Sequence, residues 1–261
     1  MEKNKISVLL ITLNEEVNMQ PLLAHLGFAD EVIIVDSYST DKTRSIAQSF
    51  SNVRFIENQF KNYSSQRNFA ISQAKNDWIL FLDADERLTR ELKNEILASL
   101  KNNKTCTAFL FYRKFMFKNT VLHYSGWQTD KIFRLFNKNY AEYKPEKLVH
   151  EKLEVNGKIG TFKNKLIHYS YRDYKSYKLK MISYGKLKAQ EKYIKNIKPL
   201  FLVPLFHPVY NFMYNYIVRL GFLDGRKGII ICYLNAYSVF VRYKELNILW
   251  NKITPISRNK T

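Results

Sequence analysis

Residues 77–86 read Asp77-Trp78-Ile79-Leu80-Phe81-Leu82-Asp83-Ala84-Asp85-Glu86. Asp77–Leu82 (DWILFL) is an apolar run of strand length that stops abruptly on a cluster of carboxylates. A strand so uniformly apolar is buried on both faces, the habit of parallel sheets covered by helices. The same form recurs upstream. Lys5–Ile11 (KISVLLI) ends on Thr12-Leu13-Asn14-Glu15-Glu16, and Glu31–Val35 (EVIIV) ends on Asp36-Ser37-Tyr38-Ser39-Thr40-Asp41. Asn52–Ile56 is a further short strand. Helical segments alternate with these runs: Asn14 is placed to cap a helix carrying Val17, Leu22, Leu23 and Leu26, and Ser64–Ala74 and Leu88–Leu100 read as two more. The alternation predicts an α/β fold with a parallel sheet. Ligands of such sheets bind beyond the carboxyl ends of the strands, where Thr12–Glu15, Asp36–Asp41 and Asp83–Glu86 all fall.

Asp83 and Asp85 stand two residues apart as the chain leaves its strand, so the strand period of two turns both carboxylates to one side. Unpaired, they repel. A hard divalent cation, Mg²⁺ or Mn²⁺, removes the repulsion and is typically held by one or two carboxylates plus substrate phosphates. The alternative is a solvated acidic turn leading into Leu88–Leu100, where carboxylates favour the helix N-terminus.

Of the 261 residues, 46% are hydrophobic and 25% charged, which supplies a core and excludes wholesale disorder. That length suits one large domain or a domain with an appendage. Residues 1–150 hold 21 Lys+Arg against 17 Asp+Glu, whereas residues 151–261 hold 21 against 6. The basic second half calls for an anionic partner: nucleic acid, anionic lipid headgroups or a phosphorylated glycolipid. Cys106 and Cys232 are too few for a disulfide framework or a zinc site and read as two buried thiols in a reducing compartment. The N-terminal apolar stretch ISVLLIT is too short for a secretory signal, which places the expected location in the cytoplasm.

Tyr174–Ile197 reads as a lysine-rich helix with apolar and tyrosine positions at three- and four-residue steps. Pro199–Val218 carries no formal charge, but Pro204 and Pro208 oppose an unbroken helix, and His207, Asn211 and Asn215 are costly in hydrocarbon. A second uncharged run, Gly228–Val241, is too short to span. With Arg219, Arg226, Lys227, Arg242 and Lys244 beside them, both fit helices lying in the headgroup plane; the alternative is burial on the catalytic domain or a sister subunit.

Taken in order, ISVLLITLNEE, VIIVDSYSTDKT and QRNFAISQAKNDWILFLDADE closely resemble the nucleotide-sugar half of glycosyltransferase family 2, the inverting enzymes of GT-A fold. Downstream, GWQTDKIFRLFNK, the tripeptide Val149-His150-Glu151 and LIHYSY (Leu166–Tyr171) resemble the bacterial lipopolysaccharide-core β-glucosyltransferase group. The likeness covers roughly residues 5–185. It implies a Rossmann-like, mostly parallel sheet in residues 1–172, with a nucleotide-sugar part to about residue 105 and an acceptor part from about 106. Residues 173–261 become a basic helical extension that associates with membrane or oligomerises.

The resemblance also implies roles. Thr12, Leu13, Asn14 and Glu15 line the base and ribose pocket, and Asp36 accepts from the uracil ring or a ribose hydroxyl. Ser39, Thr40 and Asp41 shape that loop, and Gln66, Arg67 and Asn68 contact the nucleotide. Asp83, Ala84 and Asp85 meet the donor, with Asp83 and Asp85 as metal aspartates and Asp85 nearest the cation. An inverting transferase also needs a base for the acceptor hydroxyl. Most of the family supplies an Asp from a Glu-Asp pair, and no such dipeptide occurs here. Glu151 is the first substitute and Asp130 the second, with His150 orienting the carboxylate or touching the diphosphate. Tyr124 and Trp127, flanking Gly126, form a stacking platform for an acceptor sugar or simply pack their loop. His123 and His168 lack metal-ligand spacing and read as structural.

The expected activity is therefore transfer of a sugar from a nucleoside-diphosphate sugar, with UDP-hexose foremost, to an anionic lipid-linked glycan. It takes place peripherally on the cytoplasmic face of a bacterial inner membrane. Weighed against it are a protein acceptor or nucleotidyl transfer on the same fold, and a nucleic-acid-binding module. The last is disfavoured by the uncharged Pro199–Val218 run and by the absence of helix-turn-helix, RNP-type or zinc patterns.

Overall fold

The computed structural model describes residues 5–103, 105–118, 120–126, 130–144, 152–171, 173–198 and 202–251. Two compact units emerge, one of Met1–Arg113 with Asp130–His168, the other of Lys114–Thr129 with Tyr169–Thr261. In chain order the elements begin with β1 (Ile6–Thr12), α1 (Glu16–Leu23), β2 (Glu31–Asp36), α2 (Thr43–Gln48), β3 (Val53–Glu57), α3 (Tyr63–Ser72) and β4 (Trp78–Phe81). There follow β5 (Glu86–Arg87), α4 (Arg90–Asn102), β6 (Cys106–Phe117), β7 (Thr120–Leu122), β8 (Lys131–Asn137), β9 (Ala141–Tyr143), β10 (Leu153–Val155), β11 (Lys158–Thr161) and β12 (Leu166–Tyr171). Three helices follow among the described residues: α5 (Tyr174–Ile194), α6 (Val203–Met213) and α7 (Gly225–Asn251).

The main sheet runs β3-β2-β1-β4-β8-β6-β12-β5. The expected α/β architecture is the one observed, but the parallel run stops at β4: β8 pairs antiparallel with β4 and β6 antiparallel with β8. Side-chain alternation explains why β1, β2 and β4 read as continuous apolar runs. Ile6, Val8 and Leu10 of β1 join Val32, Ile34 and Leu80 in the core on one face; Leu9, Ile33, Val35, Ile79 and Phe81 join the core on the other. Each such fully buried side chain contributes about 1.5–3 kcal/mol. Cys106, at the start of β6, is only partly buried, so the expectation of two buried thiols holds for Cys232 alone.

Asn14 does not cap α1. It takes a left-handed backbone (φ 54°), which asparagine tolerates, and its side-chain oxygen accepts from Thr40 N–H at 2.8 Å. The helix starts two residues later, leaving Val17 exposed and placing Leu26 beyond the helix end, where it is buried nonetheless.

In the second unit, α7 turns Ile231, Leu234 and Val239 of the uncharged run 228–241 into the unit's own core and leaves Ile229, Tyr233 and Phe240 exposed. Gly185 lets α5 approach α7: a methyl there would stand 2.6 Å from the Ser238 carbonyl oxygen. Pro204 and Pro208 do not break α6. Pro204 lies in the first turn, where no donor is missed, and Pro208 costs a single bond. Among the described residues no helix is long and apolar enough to cross a membrane.

Candidate active site

Two corners of the first unit gather the polar residues at the carboxyl ends of the strands. In the first, parallel pairing sets Thr12 of β1 beside Asp36 of β2. The Thr12 hydroxyl donates to Asp36 Oδ1 at 2.7 Å, and Ser39 donates to both Asp36 oxygens, each at 2.6 Å, through its N–H and its hydroxyl. Asp36 is buried and so loses little by accepting several bonds. Next to it the two loops are sewn together: Asn14 N–H donates to Ser39 Oγ, Glu15 N–H to Thr43 Oγ1 and Glu16 N–H to Asp41 Oδ2. Leu13 and Tyr38 stay exposed at the rim, Tyr38 with a left-handed backbone (φ 61°). The result is a pair of loops tied together by these bonds at the carboxyl ends of β1 and β2.

The second corner is electrostatic. The chain turns at Asp83–Glu86, with Glu86 N–H donating to the Asp83 carbonyl at 3.0 Å. Because β4 ends at Phe81, the strand period does not govern Asp83 and Asp85, and each carboxylate finds its own partner. Arg67 of α3 donates to Asp83 Oδ1 at 3.0 Å, and Arg134 of β8 donates to Asp83 Oδ2. Arg134 also donates to Glu86 Oε1 at 2.8 Å. Arg134 and Glu86 are both fully enclosed. Arg113 of β6 stands 3.7 Å from Glu86 and 2.5 Å from Asp130. The repulsion read from the sequence is thus met by guanidinium groups. Burial opposes ionisation of Asp83, yet Arg134 and Arg67 hold its carboxyl well below the usual carboxylate range. Burial pushes Glu86 upward despite Arg134. Asp85 faces His168 of β12, whose Nε2 lies 3.2 Å from Asp85 Oδ2.

Arg67 is no solvated helix residue. Its guanidinium covers the rings of Phe81 (4.7 Å) and Tyr143 (5.4 Å), which holds it against β4. Gln66, also buried, bonds Asn58 and Ser37. Asn68 trades two bonds with the Tyr143 backbone, at 2.6 and 3.1 Å, and so secures β9. Ala84 is buried in the turn between the aspartates. Tyr124 belongs to the second unit, where its N–H donates to Asp224 Oδ2 at 3.0 Å. Trp127, His150 and Glu151 lie outside the described residues.

The sequence reading assigned no role to Arg134, Glu86, Arg113 or the pairing of His168 with Asp85. The lone arginine inside the apolar run KIFRLF was the available signal for Arg134. His168 and Asp85 are separated by 83 positions, so no spacing could reveal them. A carboxylate and an imidazole are both donor types that divalent cations accept. No set of three His, Cys, Asp or Glu converges among the described residues, so an ion held there would complete its shell with diphosphate oxygens and water.

The family model of glycosyl transferase family 2 matches residues 7–169. An uncharacterized glycosyltransferase of Rickettsia bellii is 29% identical over 98% of this chain and 90% of its own. The lipopolysaccharide core biosynthesis glycosyltransferase LpsC of Rhizobium meliloti is 26% identical over 92% of this chain and 94% of its own. Among solved structures, Staphylococcus aureus TarS 1–349 in complex with UDP is similar with a TM-score of 0.50, at 16% identity, over 95% of this chain and 92% of that one; the likeness is one of fold.

Proposed function

We propose, for a chain that belongs to glycosyl transferase family 2, that it moves a hexose from a UDP-sugar, with inversion, to a phosphorylated lipid-linked glycan of the lipopolysaccharide-core kind at the cytoplasmic face of the inner membrane. The observation that carries the reading is the meeting of Asp85, His168 and the arginine-braced Asp83 at the carboxyl end of β4, one strand from the Thr12–Asp36 loop pair. The loop pair offers Asp36, Asn14 and Ser39 to the base and ribose. A divalent ion at Asp85 and His168 would neutralise charge on the departing diphosphate. Asp83, with both oxygens engaged, holds the turn in shape and presents what capacity remains to the donor. Arg67 adds a positive charge beside the same corner, where developing negative charge gains most from fixed countercharge.

For the base, Glu151 is favoured over Asp130, because the Asp130 carboxylate is committed to Arg113. The acceptor class draws on the similarity to LpsC, a lipopolysaccharide core biosynthesis glycosyltransferase, and on the basic second half of the chain, which suits an anionic substrate. The reading is tested by incubating the protein with Mn²⁺ and a panel of UDP-hexoses, with and without a lipid-linked core oligosaccharide, and measuring UDP release. Acceptor-stimulated release with one sugar supports it; release that no glycolipid stimulates contradicts the acceptor. Glu151→Gln is expected to retain UDP binding and lose transfer. If Asp130→Asn behaves that way instead, the base is Asp130.

A further inference from the structure

Helix α6 is built inside out. His207 faces its own unit, with Nδ1 2.8 Å from the Tyr243 hydroxyl of α7, and Asn215 donates to the Asn211 carbonyl at 2.8 Å along the same side. On the opposite side Leu205, Phe206, Val209, Tyr210 and Met213, continued by Ile217 in the π-helical turn Tyr214–Val218, recur at three- and four-residue steps. Each of these six is between 46% and 65% exposed. An apolar stripe turned outward over four helical turns marks an interaction surface.

Charge identifies the occupant. The second unit holds 19 Lys+Arg against 4 Asp+Glu, and exposed Lys195, Lys198 and Arg226 flank α6 and its π-helical turn. A second copy would bring the same positive surface to the contact and repel it. An anionic bilayer brings apolar chains to the stripe and phosphates to the flanking lysines and arginines. The 16 residues of α6 and its π-helical turn fall short of the roughly 20 needed to span, so the segment lies along the surface. Tyr210 and Tyr214, stacked at 5.9 Å, are the aromatic type favoured at interfacial depth.

We propose that α6 lies flat in the headgroup region of an anionic membrane, with Leu205, Phe206 and Val209 entering the acyl boundary and the flanking cations resting on lipid phosphates. Its purpose, bringing the catalytic unit to a lipid-linked acceptor, rests on the proposed reaction; the docking itself needs neither donor nor acceptor. The test is co-sedimentation of the full chain with phosphatidylcholine vesicles, with and without phosphatidylglycerol. Wild type is expected to sediment only with the anionic vesicles and to be released by salt. The triple variant Leu205→Ser, Phe206→Ser, Val209→Ser is expected to lose affinity by about tenfold or more per side chain, while UDP still raises its melting temperature as in wild type. A second probe, Tyr210→Trp, is expected to add a blue-shifted component, absent from wild type with its three native tryptophans, on anionic vesicles. Wild-type sedimentation of the triple variant, or the lack of that added component, overturns the proposal. So does a wild-type dimer that the triple substitution makes monomeric, which would assign the stripe to a second copy. Failure of UDP to bind wild type would instead strike the proposed reaction and leave the docking result standing.

Discussion

His168 Nε2 lies 3.2 Å from Asp85 Oδ2, so β12, the last strand among the described residues, reaches the turn that follows β4. Neither residue has a covalent reason to be near the other. The sheet supplies one: β12 pairs antiparallel with β5, setting His168 opposite Glu86 and one residue from Asp85. If this pair holds a divalent ion, His168→Gln should raise the Mn²⁺ concentration for half-maximal activity about 10–100-fold with a smaller change in saturated kcat. A kcat loss that no Mn²⁺ concentration repairs would make His168 a structural partner of Asp85 instead.

Arg134 is enclosed with Asp83 and Glu86 as its partners. Removing it leaves the enclosed Glu86 carboxylate without its main countercharge and Asp83 paired with Arg67, and Arg134→Ala should destabilise the chain by about 3–5 kcal/mol. Urea unfolding measures this directly. Arg134→Lys should recover part of the stability, because both contacts come from the single nitrogen Nη2 and an ammonium can donate to two carboxylates as well.

The lowered pKa of Asp83 sets a sign for acid stability. A carboxyl depressed in the folded state contributes stability that is complete above its unfolded value of about 3.9 and is lost as the pH falls from there toward its folded value. Glu86, raised by burial, works in the opposite direction, but above its unfolded value of about 4.3, outside this window. Urea midpoints below pH 4 should therefore fall more steeply for wild type than for Asp83→Asn. Parallel slopes would mean that the arginines do not hold Asp83 ionised.

Gly185 packs against the backbone of α7 at Ser238, with Val241 beside it. Gly185→Ala improves helix propensity locally but forces α5 away from α7, and overpacking of this kind costs about 1–3 kcal/mol. The melting temperature should drop; a rise would show that propensity wins over packing here.

The strand runs were legible because three of them are buried on both faces, and uniform apolarity is the signature of that burial. Thr12, Asp36 and Asp83 stood out for a related reason: each follows or ends such a run, where sheets of this kind generally meet their ligands. What stayed hidden was everything assembled across the sheet. Arg134 could be noticed as a charge within KIFRLF, but its partners Asp83 and Glu86 lie about 50 residues upstream and meet it only through the antiparallel pairing of β8 with β4. The pairing of His168 with Asp85 was hidden for the same reason. The α6 stripe was legible as an uncharged segment; which way it faces was not, because a helix wheel carries no direction until α7 takes the other side.

The most direct measurement of the central claim is Mn²⁺ binding to the UDP-saturated protein, followed by the loss of the free-ion electron paramagnetic resonance signal. The account predicts one Mn²⁺ taken up per chain by wild type, uptake abolished in Asp85→Asn and weakened in His168→Gln. Wild-type uptake in both variants would contradict it.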